Sequence, residues 1–277
     1  LGIEKAGALD HFFHLGGHSL KAVALASRVH KTFNRKIPLS LVYRNPVLRD
    51  MAGQLEKAKG ETYFKIKPAP KLLLYPLSPA QKRLFVLERL GATGTAYHIT
   101  RAFVIQGSPG TEKLESIFNA LIERHESLRI SLHLENGEPV QRIHDHATIQ
   151  IEPLKPRTLE DNPRSFVRPF DLSVPPLIRV GIQPMDEGKE IMMVDLHHII
   201  ADGLSMAILV NDFQELFAGP NQLPPLRLQY KDYAWQQHTL IQTGQIKKQE
   251  QWWLDAFQGE IPVIQLPMDF VPPAVKN

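Results

Sequence analysis

The chain has 277 residues, 43% of them hydrophobic, which is enough to bury one large core or a small and a medium one. Lys and Arg number 32 against 29 Asp and Glu, a formal charge of +3 interspersed along the sequence, so no basic stripe points to a nucleic-acid partner. Cysteine is absent, which excludes disulfides, thiolate metal sites and cysteine nucleophiles, and any thioester chemistry must use an imported thiol.

The apolar runs at 191–194 and 206–210 are too short to cross a bilayer, and the N-terminus lacks a signal-peptide pattern. A soluble cytoplasmic protein with no membrane partner is expected. In chain order, the first predicted helix is 19–33, where Leu20, Val23, Ala24, Ser27 and Phe33 recur at helical spacing and Asn34 supplies a stop. A second helix is predicted over 47–59, and Pro38 and Pro46 punctuate the loop between the two. Segment 60–71, with its charges and alternating Pro68 and Pro70, sustains no period and reads as an interdomain linker.

Beyond Leu72, strand and helix patterns alternate, which predicts a layered α/β (α+β) domain. The helices are expected at 79–90, at 112–126 with Leu114, Ile117, Phe118, Leu121 and Ile122 on one face, and at 204–217. The strands are expected at 99–105, 129–135, 149–154, 178–183 and 190–198, with hairpin turns at Asn136-Gly137 and at 186–188. Phe213, Leu216, Phe217, Trp252, Trp253 and Phe257 are expected in the core, and the run 247–250 reads as a solvated helix face.

Two motifs carry the chemistry. The first is His11-Phe12-Phe13-His14-Leu15-Gly16-Gly17-His18-Ser19-Leu20. Its glycines allow close backbone approach, and the amides of a new helix favour an anion such as a phosphate attached at Ser19. By spacing alone the same residues also describe a plain N-cap serine. The run closely resembles the attachment loop of peptidyl carrier domains of nonribosomal peptide synthetases, and segment 41–52 (Leu-Val-Tyr-Arg-Asn-Pro-Val-Leu-Arg-Asp-Met-Ala) resembles their last helices. The resemblance implies a small all-α bundle over 1–59, with Phe12, Phe13 and Leu15 as packing anchors. It also implies that Ser19 receives 4'-phosphopantetheine from a phosphopantetheinyl transferase. Such carriers have a helix ahead of the loop, and the opening Leu1-Gly2-Ile3 reads as the end of it.

The second motif is His197-His198-Ile199-Ile200-Ala201-Asp202-Gly203. Adjacent strand residues point to opposite faces, so only one histidine can enter a given cavity. Asp202-Gly203 ends the strand and opens the next helix, which lets His198, Asp202 and the Gly203 amide converge. That arrangement suits acyl transfer, with an imidazole near an attacking amine and an N–H near a developing oxyanion. Zinc is the other chemical reading in a chain with 12 histidines, but joint ligation by a diverging pair is awkward and no metal is expected.

His-His-x-x-x-Asp-Gly resembles the core of condensation domains and their chloramphenicol-acetyltransferase-like relatives. Segments 77–85, 124–129 and 230–235 look like the first, second and fourth motifs of the condensation branch. By that resemblance His198 is the active-site histidine and Asp202 is mainly structural, pairing with an arginine such as Arg129; His197 belongs to the same site set and by default reads as a satisfied structural histidine. An intact histidine pair departs from cyclising variants, and Leu204-Ser205-Met206 departs from epimerising ones. His18 leans towards an L-configured donor.

The implied fold has two similar lobes flanking a channel, of which 72–277 would be the N-terminal one. The implied reaction joins aminoacyl or peptidyl thioesters on two carriers, with an adenylation domain upstream and an acceptor carrier downstream. The competing readings are a non-catalytic carrier or binding fragment, silent on its own, a coenzyme A-dependent acyltransferase, and an epimerisation domain.

Overall fold

A computed structural model describes residues 2–3, 5–60, 65–91, 94–154, 166–185, 188–219, 223–261 and 270. The chain divides into two compact units, Leu1–Lys65 and Ile66–Asn277.

The first unit holds helices α1 (Ser19–Phe33), α2 (Leu39–Arg44) and α3 (Leu48–Lys57). α1 stops at Asn34, whose φ of 51° is the left-handed conformation that ends a helix and that asparagine tolerates. Arg35 then donates to the carbonyls of Leu55 and Ala58, satisfying the open end of α3. The core is Phe12, Ala22, Ile37, Val42 and Met51, with Phe13, Leu25, Ala26 and Val29 packed against it. The buried face of α1 is therefore not the expected one: Leu20, Val23 and Phe33 are each more than half exposed. Apolar residues occupy both sides of this helix, and contact with Phe12, Val42 and Met51 selects the side of Ala22. α2 lies in what reads as a loop between prolines, because six residues carry too little period to register.

The second unit contains α4 (Pro79–Arg89), β2 (His98–Gln106), α5 (Thr111–Arg124), β3 (Ile130–Glu135) and β4 (Glu138–Ile143), preceded by the short β1 (Tyr75–Pro76). There follow β5 (Glu152–Pro153), β6 (Ile178–Met185), β7 (Lys189–His197), α6 (Gly203–Ala218), α7 (Tyr230–Gln242) and α8 (Lys247–Ala256). The strands form two sheets, of order β1-β4-β3 and β2-β7-β6-β5, antiparallel throughout except for β5 beside β6. The β3–β4 hairpin turns at Asn136 (φ 50°) and Gly137 (φ 82°), the positive angles that a two-residue turn requires. Of the other expected turn, residues 186 and 187 lie outside the described residues.

α5 buries Leu114, Ile117, Phe118, Leu121 and Ile122, an i, i+3, i+4, i+7, i+8 stripe worth about 2 kcal/mol per side chain. β7 lies between β2 and β6. Its first half alternates in burial, and its last four residues are buried on both faces.

Two expectations give way here. Of 149–154 only Glu152–Pro153 pairs as a strand, because the amides of Ile149 and Ile151 donate instead to Asn119 Oδ1 and Glu115 Oε1 of α5, each at 2.9 Å. Segment 60–71 contains the boundary between the two units: Gly60 bridges Arg35 in the first, and the Ala69 amide donates to Asp232 Oδ1 at 2.8 Å in the second. Trp252, Trp253 and Phe257 are more than half exposed rather than core, and α8 buries none of its residues. Large aromatic side chains are core by default, but these three keep more than half of their surface open among the described residues. Among the described residues, no helix is long and apolar enough to cross a membrane.

Candidate functional site

Ser19 is the first residue of α1. The N-cap position belongs to His18, which makes no side-chain capping bond, so the exposed Ser19 hydroxyl is not engaged as a helix cap. Gly16 has a φ of 83°, and Gly17 lies so close to Phe12 that a Cβ there would be 2.5 Å from the Phe12 carbonyl oxygen and would enter its ring. The loop is thus clamped on the core while its serine stays outside, beside helix amides that favour an anion. These residues fit an attached phosphopantetheine. Lys21, whose Nζ donates to the Gly16 carbonyl at 3.2 Å, adds positive charge within a turn of Ser19.

In the second unit the two histidines part company as the strand period requires. His197 ends β7 and is 1% exposed, whereas His198, just beyond the strand, is exposed and lines a cavity of ≈ 690 Å³. The His198 amide donates to the Tyr97 carbonyl at 2.7 Å, and His197 Nδ1 accepts the Ile199 amide at 3.0 Å, which fixes the turn. Burial lowers the His197 pKa to about 4, so this ring is neutral at neutral pH.

Asp202 caps α6, accepting from the Ser205 amide at 2.8 Å and the Ser205 hydroxyl at 2.7 Å. The expected pairing with Arg129 is not formed. Arg129 Nη1 and Nη2 instead donate to the carbonyls of His144 and Glu123, because the residue closes a 3-10 turn after α5 and lies over uncapped carbonyls. Gly203, the first residue of α6, has open space where a Cβ would stand.

The four motif segments interlock around this cavity. Ser78 and Gln81 form a capping box on α4, and Gln81 Nε2 also donates to the Ile199 carbonyl at 3.3 Å. Ser78 Oγ lies 2.9 Å from the Tyr230 hydroxyl, and burial raises the pKa of that tyrosine. Gln229 receives the Glu126 amide at 3.2 Å and donates to the Arg124 carbonyl at 2.9 Å, while Lys231 pairs with Glu126 at 2.6 Å.

His125, Tyr97 and Tyr230 line the cavity with His198, and sequence reasoning assigned them no role. For His125 the signal was present in segment 124–129. Its Nε2 lies 2.8 Å from Asp212 Oδ2, which also receives Arg124 Nε at 2.8 Å, and burial lowers the His125 pKa although Asp212 opposes it. An exposed imidazole, a helix N-terminus and a walled, partly apolar cavity can hold an acyl group and steady charge that develops on it.

Residues 73–277 match the family described as condensation domain, and residues 1–55 match the phosphopantetheine attachment site. Tyrocidine synthase 3 of Brevibacillus parabrevis is 40% identical over 279 residues, covering 100% of this chain and 4% of that protein. Gramicidin S synthase 2 of Brevibacillus brevis is 40% identical over 281 residues, covering 100% of this chain and 6% of that protein. The chain therefore spans a small part of these relatives. Among solved structures, the X-domain from teicoplanin biosynthesis aligns with a TM-score of 0.66 at 26% identity, over 76% of this chain and 49% of that one. The starter condensation domain of rhizomide synthetase aligns with a TM-score of 0.56 at 18% identity, over 70% and 51%, which shows the fold. With both matches and the interlocked motifs in hand, the chain belongs to the condensation-domain family over residues 73–277 and carries a phosphopantetheine-attachment domain ahead of it.

Proposed function

We propose that residues 1–59 are a peptidyl carrier domain charged at Ser19, that 60–71 link it onward, and that 72–277 are the N-terminal lobe of a condensation domain. In the whole protein, that domain would join an acyl group on one carrier to the amine of an aminoacyl group on another. Bound at Ser19, phosphopantetheine supplies a thiol on a flexible arm, so that acyl groups arrive as thioesters at high local concentration. When the amide forms, a C–N bond is made, a C–S bond breaks, and the proton lost by the amine ends on the sulfur.

His198 Nε2 or Nδ1 holds or takes the amine proton from within the cavity, the Gly203 amide steadies the oxyanion, and Asp202 keeps that amide aimed by capping α6. His197 is structural. Arg129 stiffens the end of α5 rather than serving Asp202 directly. The partners are a phosphopantetheinyl transferase, an upstream adenylation domain and a downstream acceptor carrier, and the location is cytoplasmic.

The observation that carries this reading is the exposure of His198 into a cavity walled by all four motif segments, while His197 beside it is buried. For the isolated 277 residues a second reading competes: a carrier fused to a lobe that does not turn over alone, favoured by the small share of each relative that the chain spans.

Two measurements test the proposal. Mass spectrometry after incubation with a phosphopantetheinyl transferase and coenzyme A should add one arm, lost in Ser19→Ala. Single turnover with two loaded carriers should give amide in the full-length protein and none in its His198→Ala variant. An arm found elsewhere than Ser19, or undiminished amide without His198, refutes the assignment. Amide formed by the 277 residues alone removes the silent-lobe reading.

A further inference from the structure

Behind the His198 turn lies a buried group of charged and imidazole side chains that the reaction above leaves unused. Strand register gathers it: Thr100 and Arg179 flank Asp195 on the two neighbouring strands, and His98 stands opposite His197. Alternate strand residues share a face, so Asp195 and His197 point the same way.

Asp195 is fully buried. Its carboxylate accepts from Thr100 Oγ1 at 3.0 Å, from Arg179 Nη1 at 2.9 Å and from His98 Nδ1 at 3.0 Å. One aromatic lid covers the group: Phe170 stacks on His98 at 5.0 Å between ring centroids and lies 3.8 Å below the Arg179 guanidinium. A buried carboxylate held from three sides is fixed in position.

Partner chemistry then assigns the tautomers. Asp195 only accepts, so neutral His98 carries its proton on Nδ1 and presents a lone pair at Nε2. The Ile199 amide only donates to His197 Nδ1, so neutral His197 carries its proton on Nε2. These two Nε2 atoms are both buried with no hydrogen-bond partner among the described residues. One is a donor and the other an acceptor, on rings whose centroids are 5.8 Å apart. Glu88 Oε2 lies 3.8 Å from His197 Nε2, an ion-pair distance from which it raises the His197 pKa against burial, but longer than a hydrogen bond.

We propose that Asp195 and His98 are positioning residues for His198. Asp195 holds His98 so that its Nε2 accepts, through one buried water, the Nε2 proton of His197, and His197 in turn holds the Ile199 amide and so the turn that presents His198. A donor and an acceptor left buried are costly, and one water between them satisfies both. The inference rests on His198 being the reacting histidine.

Long-range ¹H–¹⁵N correlation on the histidine-labelled chain reads the tautomers directly. His197 should be protonated on Nε2 and His98 on Nδ1 at neutral pH, and Glu88→Gln should leave both unchanged. His98→Asn keeps a donor to Asp195 but leaves no acceptor at the position of Nε2. It should shift the His197 Nε2 resonance and, in the full-length protein, lower kcat for amide formation on the order of tenfold or more with KM for the loaded carriers unchanged.

His197 protonated on Nδ1, a His197 resonance that follows Glu88→Gln instead, or wild-type kcat in His98→Asn overturns the proposal. The wild-type tautomers decide it even where His98→Asn fails to fold. Wild-type protein that forms no amide refutes the function reading instead and leaves the tautomers legible.

Discussion

Replacing Asp202 by alanine removes one N-cap and, on the geometry seen, no ion pair. The lost interaction is the pair of bonds from the Ser205 amide and hydroxyl at the start of a 16-residue helix, which predicts a cost of about 1 kcal/mol. Asp202→Asn and Asp202→Ser supply equivalent caps and should stay within a few tenths of a kcal/mol of wild type. For a domain of this size about 1 kcal/mol corresponds to ~2–4 °C in Tm.

Chemical denaturation followed by tryptophan fluorescence isolates the relevant unit, because Trp235, Trp252 and Trp253 all lie in Ile66–Asn277. The pH sign is also set. Burial pushes the Asp202 carboxyl up, but the Ser205 amide and hydroxyl, the Leu204 amide and nearby His198 outweigh this and hold it below its ordinary value of 3.8. Its contribution is therefore present above about pH 4 and is lost as pH falls through the folded-state value. Asp202→Asn as damaging as Asp202→Ala, or a coupling above about 0.5 kcal/mol between Asp202→Ala and Arg129→Ala, would refute the cap and restore the arginine pair.

Gly203→Ala should fold with unchanged or slightly higher stability, by up to about 1 kcal/mol, since a Cβ there meets open space and alanine favours helix. Amide formation by the full-length protein should nonetheless fall, because that Cβ stands beside the amide assigned to the oxyanion, and wild-type activity would remove the assignment. His197 is buried with its pKa lowered from 6.5 to about 4. The stability it contributes should be full above about pH 6.5 and decline towards pH 4 with a slope near 1.4 kcal/mol per unit, as the unfolded chain takes up a proton the folded one refuses. A His197→Asn variant that keeps this slope in urea titrations would count against it. Gly17→Ala should destabilise the first unit by roughly 1–3 kcal/mol, because the backbone carbonyl of Phe12 cannot yield to the added carbon, and an unchanged circular-dichroism melt would show the loop is not clamped.

The long helices were legible from periodicity within a residue or two, as α1, α4, α5 and α6 demonstrate, and so was the β3–β4 turn from Asn136-Gly137. α2 and β1 were not, because they carry too few residues for a period to emerge, and neither was the 13-residue α7, which follows a stretch whose pattern is weak until Gln229 and Asp232 meet as a capping box. Of the candidate site, the split between His197 and His198 followed from the alternation of a strand. The participation of His125, Tyr97 and Tyr230 in the same cavity did not, since each comes from a different element.

Local order along the chain determined which residues could start helices or close turns, and that the two adjacent histidines face opposite ways. Those properties depend on neighbours within a few positions, which the sequence displays directly. Tertiary structure alone decided that α1 buries Ala22 rather than Leu20, that Arg129 turns to the carbonyls of His144 and Glu123 rather than to Asp202, and that His98 and Asp195 gather behind the His198 turn. Each of these turns on which of several compatible partners lies nearest once distant strands and helices have packed, and pairing across 80 or more positions leaves no mark on local spacing.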